Sequence, residues 1–247
     1  MTYLFLITFL QVALAKPQNT DLWPAELPGT AVVLPQRTSV MRLFGDSSYT
    51  VSRSASVHTS IWDLKDKVAV QYRQQLLKNR KMALALQPGA AVYWDGTPNV
   101  NLVLLYTVIR PKSRFTVTAG GELNSSALDL LLGKAFAFPL SVKMDFLNKS
   151  SAHRVFYNAQ IEDMLVAKKT FTLGYSYAKT IAKRWRFSLG ASVLVYDTTS
   201  IIDSALLMSE FADYHPALVF LSWLQEADNI PNPLVIPYPT ADIWYRF

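Results

Sequence analysis

The chain has 247 residues, of which 51% are hydrophobic, 13% aromatic and only 17% charged, with a formal charge of +6 and no cysteine. Without cysteine there is no disulfide framework, thiolate nucleophile or cysteine-based metal site, and Lys and Arg lie in ones and twos rather than in the clusters that mark a nucleic-acid partner. So little charge is well under the ~25% of an average soluble domain, and beyond residue 15 no uncharged apolar run approaches the ~18–20 residues of a spanning helix.

Residues 1–15, MTYLFLITFLQVALA, are an uncharged apolar run ending in Ala13-Leu14-Ala15. This is the h-region and small-x-small pattern of a signal peptide, although the stretch carries no Lys or Arg. An exported chain is expected, with Lys16 at its mature start. Residues 16–47 contain Pro17, Pro24, Pro28 and Pro35 and no sustained period. Proline fixes φ and removes a donor, so this stretch reads as a periplasmic arm or a small plug.

From residue 48 onward the chain alternates, as strands with two unlike faces do. Residues 48–62 do so least cleanly, because Arg53 would fall on the apolar face. Val68, Val70 and Tyr72 alternate with Ala69, Gln71 and Arg73, and Met82, Leu84 and Leu86 with Ala83, Ala85 and Gln87. Residues 99–110 are apolar on both faces. In 114–124, Phe115, Val117, Ala119 and Leu123 oppose Arg114, Thr116, Thr118 and Glu122; in 136–146, Phe136, Phe138, Leu140 and Met144 oppose Ala137, Ser141, Lys143 and Asp145. Residues 152–164 are again less clear. The sharpest pair is 170–180 and 185–196, where Phe171, Leu173 and Tyr175, then Trp185, Phe187 and Leu189, alternate with Ser, Thr, Gly and Arg186.

A soluble sandwich would also alternate, but its outer face would carry many charges. Here the second face is mostly small and polar, which suits a lumen, while the broad apolar face with Trp and Tyr near strand ends suits lipid. The connections 78–80, 111–113, 148–151 and 182–183 are short and polar or basic, and they alternate with others that culminate in a long stretch, 198–234. That parity places the tight turns on the periplasmic side and the long loop outside. The fold class expected is all-β, an antiparallel up-and-down transmembrane barrel of about ten strands, within a range of 8–12, over residues 48–247. Its lumen is expected to be lined by Arg73, Arg114, Glu122, Lys143, Asp145 and Arg186, and its narrow bore disfavours a wide porin.

At the end of the chain Ala241, Ile243, Tyr245 and Phe247 share one face. This resembles the C-terminal signal of bacterial outer-membrane β-barrel proteins, and Ile243, Tyr245 and Phe247 would be the positions read by the barrel-assembly machinery. Pro237 and Pro239 depart from that pattern, since proline removes ladder donors. More loosely, residues 48–197 look like the β-meander of outer-membrane proteins without an assigned activity. The resemblance implies an outer-membrane location, with membrane lipid and the assembly machinery as partners.

Chemistry-bearing residues are few. His58, His153 and His215 have no His partner at metal-ligand spacing, and no metal or cofactor is expected. His58 and Ser60 are two apart, so on a strand they share a face and could form a base and nucleophile. The element resembles the His-x-Ser of outer-membrane lipid A deacylases but lacks a nameable acid. Asp203, Glu210, Asp213 and His215 could be arranged as in outer-membrane aspartyl-type proteases, which also use ten strands. The reading preferred from sequence is a non-enzymatic barrel, a narrow channel, small-solute conduit or surface structural protein; the alternative is a membrane-embedded hydrolase.

Overall fold

The computed structural model describes residues 27–124, 136–162, 168–182, 184–196 and 234–247. The expected signal segment 1–15, the arm up to residue 26, the long loop up to residue 233 and its candidates Asp203, Glu210, Asp213 and His215 lie outside the described residues.

The chain is a closed antiparallel barrel of twelve strands, each paired with its chain neighbour. In order they are β1 (Ser39–Arg42), β2 (Asp46–Thr50), β3 (Ala55–Ser60), β4 (Lys67–Lys78), β5 (Met82–Tyr93), β6 (Pro98–Ile109), β7 (Ser113–Asn124), β8 (Phe136–Leu147), β9 (Ser151–Glu162), β10 (Lys168–Thr180), β11 (Trp185–Tyr196) and β12 (Leu234–Arg246). A 3-10 turn, Trp62–Lys65, precedes β4. Strands β4 to β12 have 12 or 13 residues each. Such a strand is roughly 40 Å long, and tilted by ~40° it spans the ~25 Å apolar band of a membrane barrel.

Two strands more than the expected ten arise at the start. The segment 48–62 is not one strand but parts of β2 and β3, joined by a turn that carries Arg53, which is exposed there rather than on an apolar face. The wall also begins earlier than residue 48, because β1 lies within the stretch expected to be an arm. With 4, 5 and 6 residues, these strands are too short to write a readable period of two.

Facing follows the alternation. Leu102 and Leu104 of β6, Phe138 and Leu140 of β8, Leu173 of β10 and Leu189 of β11 are all exposed on the outside. A surface this apolar is far larger than the patches that water tolerates, and it is the surface of a protein solvated by lipid. The inward positions are small or polar: Ala83, Ala85 and Gln87 on β5, Thr107 on β6, Thr116 on β7, all buried. In β4 a bulge between Gln75 and Leu77 leaves both Leu76 and Leu77 outside. Gly174 makes room for the inward Phe156, since a Cβ there would run into the Phe156 ring.

Closure depends on a short seam. β1 pairs with β12 over three positions, Val40 with Arg246, Met41 with Tyr245 and Arg42 with Trp244, extended by Leu43 N–H to Ile243 O (3.0 Å) and Phe247 N–H to Ser39 O (2.9 Å). Backbone groups of odd-numbered β12 residues therefore point toward β1, and those of Arg246, which donates to Arg184 O, toward β11. Pro237 and Pro239 share the odd parity, above the level that β1 reaches. Their missing donors face the side where no ladder forms among the described residues, which is how β12 accommodates two prolines.

The same seam sets an expectation for the last residue. The Phe247 ring packs edge-on against Tyr245 (4.6 Å between centroids), which in turn meets Trp185 (4.8 Å). Replacing Phe247 with Tyr should leave insertion near wild type, while Asp should reduce it strongly. Heat-modifiable gel migration after expression reads the folded fraction, and equal fractions for Phe, Tyr and Asp would show that the packing of this ring on Tyr245 does not support folding.

Candidate functional site

Residues Leu27–Thr38 do not trail from the barrel but lie inside it, near the end where the strands are joined by tight turns. Leu27 and Leu34 pack with Val40, Ala152, Ala178 and Trp244; Ala31 and Val32 pack with Ala83, Ala85 and Leu105 on the opposite wall. The segment thus crosses the lumen. It leaves by a turn in which Thr38 N–H donates to Pro35 O, and Arg37, at φ 64°, donates its N–H to Thr50 O.

The wall grips this segment by its backbone. Arg73 donates Nη1 to Thr30 O (2.8 Å) and Nε to Gln87 Oε1 (2.7 Å); Gln75 donates Nε2 to Ala31 O (2.8 Å); Arg154 donates Nη1 to Pro28 O (3.0 Å). In return Ala31 N–H donates to Thr107 Oγ1 (2.9 Å), whose hydroxyl also pairs with that of Thr116 (3.0 Å). An unpaired buried amide or carbonyl would be costly, so polar residues on the inner wall are what allow a backbone to lie there. Gly29 serves the same end. It sits at φ 70°, where side chains are disfavoured, and a Cβ there would collide with the Lys143 ammonium.

Ion pairs brace the interior. Arg154 forms a two-pronged bridge to Asp145 (Nε–Oδ1 2.6 Å, Nη2–Oδ2 3.0 Å), and Asp145 is fully buried. Arg42 meets Asp242 at 2.5 Å and lies over the Trp244 ring, 4.3 Å from its centroid, joining the first strand to the last. Beyond the segment a cavity of about 290 Å³ remains, lined among others by Arg42, Lys143, Arg154, Phe156, Ser188 and Asp242.

The residues expected to line the lumen are all on the inner face, but with unlike surroundings. Arg73 and Asp145 are buried in the network just described. Lys143 borders the cavity, and Arg114 lies beside Asp145 across the β7–β8 ladder. Glu122 accepts from Asn99 Nδ2 (2.6 Å). Arg186, 2% exposed, turns back to cap the β10–β11 turn through Ala182 O and Trp185 O (2.9 and 3.1 Å). Arg42, Gln75, Thr107, Arg154 and Asp242 were not singled out from the sequence. Arg154 shares parity with the small residue Ala152, which was a usable signal; the others become visible only once their partners are known.

His58 is buried and faces inward, but its Nε2 pairs with Ser56 Oγ (2.8 Å), whereas Ser60 Oγ accepts the Asp63 N–H (3.3 Å). The pair suggested by spacing is therefore displaced by one strand repeat. Asp46 borders the same small cavity as His58, with Arg42 and Arg73, and no hydrogen bond joins Asp46 to the imidazole. His153 points outward and meets the Tyr175 hydroxyl through Nδ1 (2.6 Å), so it cannot share a site with His58.

No family model matches the chain, and no curated protein matches its sequence. Among solved structures, one similar chain is a bacterial polysaccharide outer membrane secretin, at a TM-score of 0.45 and 10% identity, over 84% of this chain and 69% of that one.

Proposed function

We propose that this protein is an outer-membrane barrel that serves as a narrow conduit for small solutes and is closed at its turn end by its own segment 27–38. The observation that carries the reading is the backbone grip of Arg73, Gln75, Thr107 and Arg154 on Pro28, Thr30 and Ala31. These bonds go to main-chain atoms of a chain crossing a bore, an arrangement suited to a stopper. The cavity beyond it, with Lys143 at its border, gives small solutes a space lined by both apolar and charged side chains.

The reading is tested on refolded protein in planar bilayers. Wild type should show little steady conductance, deletion of residues 27–34 should raise it severalfold, and Lys143→Gln in the deleted protein should lower the preference for anions. A deletion variant that is folded by gel shift yet as silent as wild type would overturn the conduit.

The runner-up is a hydrolase, favoured by the Ser56–His58 hydrogen bond. In a working triad a third group orients the base and offsets the charge it gains, and here the imidazole has Arg73 and Arg42 as charged neighbours. Lipid or peptide cleavage by the purified barrel that is lost in His58→Ala would reverse the ranking.

A further inference from the structure

The two rims of the barrel differ in charge. At the turn end, the connections after β4, β6, β8 and β10 carry Arg80, Lys81, Arg110, Lys112, Lys149 and Arg184, and no acid is present among the described residues of these turns. At the other rim the described connections are mixed in sign, with Asp63, Asp66 and Asp95 beside Lys65, which is paired to Asp66 (3.1 Å). The basic turns are held rigidly, because each is stitched to the next strand along: Ile109 N–H to Lys81 O (2.7 Å), Leu147 N–H to Lys112 O (2.8 Å), Thr180 N–H to Ser150 O (2.8 Å) and Arg246 N–H to Arg184 O (2.9 Å). The turn backbones that carry these cations therefore form a fixed collar at the border of the apolar band.

Under one part of this collar lies a recess of about 210 Å³, lined by Val108, Phe115 and Met144 with Arg110, Ser113 and Arg114. The three apolar residues are cross-strand neighbours on the lipid side, Val108 opposite Phe115 and Phe115 opposite Met144. Arg110 and Lys112 flank Pro111 in the turn above, both exposed. Among the described residues neither side chain has a hydrogen-bond or ion-pair partner.

We propose that this recess binds one anionic glycerophospholipid, with an acyl chain against Val108, Phe115 and Met144 and the phosphate held between Arg110 and Lys112. An apolar groove with Arg110 on its lining and Lys112 two residues on in the same turn matches the amphiphile in both parts: the chain is buried against carbon, and the phosphate receives charge-assisted hydrogen bonds at the depth where headgroups lie. A zwitterionic lipid offers the same chain but no net charge, and free phosphate lacks the chain. The proposal needs only the lipid-facing wall and is independent of the conduit. It also orients the barrel, with its tight turns toward a leaflet containing anionic phospholipid.

The test is native mass spectrometry of the refolded barrel in a non-ionic detergent, titrated with dioleoylphosphatidylglycerol or dioleoylphosphatidylcholine. One phosphatidylglycerol should be retained in preference to phosphatidylcholine. Arg110→Gln with Lys112→Gln should weaken it roughly 30-fold, as expected for two cations at about 1 kcal/mol each near an anionic headgroup. Lys65→Gln with Lys67→Gln removes the same charge from the opposite rim and should change little. Met144→Trp, which fills the recess but keeps the charge, should also weaken binding, and inorganic phosphate should not compete. Equal retention of the two lipids, equal losses for the two double variants, or displacement by phosphate would each overturn the site; the gel shift of every variant confirms that it is folded.

Discussion

Leu173→Arg is expected to destabilise the folded barrel by ~2–4 kcal/mol, the cost of placing an arginine on the lipid face near the bilayer midplane. Leu173 lies near the middle of β10 and is 58% exposed on the outer face, and Leu189, near the middle of β11, is 57% exposed and should respond alike. The control is Ser188→Arg. Ser188 borders the inner cavity and sits opposite Asp242 in the β11–β12 ladder, so an arginine there gains room and a carboxylate. Denaturant titration of folding into vesicles measures all three. If Ser188→Arg cost more than Leu173→Arg, inside and outside would be exchanged and the lipid-solvated wall would have to be abandoned.

The second large effect is expected at Asp145. Its carboxylate is fully buried and takes two bonds from Arg154, so Asp145→Ala leaves a buried guanidinium without its counter-charge, at a cost of ~3–5 kcal/mol. Replacing both residues, Asp145→Ala with Arg154→Met, should recover much of this loss, because desolvating an ion pair offsets most of its attraction. Arg154 also donates to Pro28 O. The double variant should therefore regain stability yet loosen the internal segment, which limited proteolysis near residues 27–34 would report. A double variant no more stable than Asp145→Ala would show that the pair is not coupled as the geometry implies.

The long strands and their facing were legible in the amino-acid order. A strand's side chains alternate with a period of two, so β10 and β11, with large apolar residues at odd positions and small polar ones at even positions, declare both their conformation and their two environments. Parity likewise puts Arg73, Lys143 and Asp145 on one face. The signal weakens where a strand is shorter than the window that reveals a period, which is why β1 to β3 do not stand out as separate strands in the sequence and Arg53 reads as part of a strand rather than a turn. It also weakens in β6, where Leu105 faces in and Leu104 faces out, so both faces read as apolar.

Partnership was decided by register and closure. Arg42 and Asp242 are 200 residues apart in sequence and 2.5 Å apart at the seam; Thr107 reaches Ala31 across 76 residues. Spacing proposed Ser60 for His58, but both of its same-face neighbours at two residues' distance were eligible, and local geometry selected Ser56. Basic residues that lie in ones and twos along the chain become a single collar because every second hairpin connection returns to the same rim. A periodic sequence specifies the face on which each side chain stands, since that is fixed by its own backbone; which side chains meet depends on the register and closure of the whole sheet, and these were set by tertiary structure.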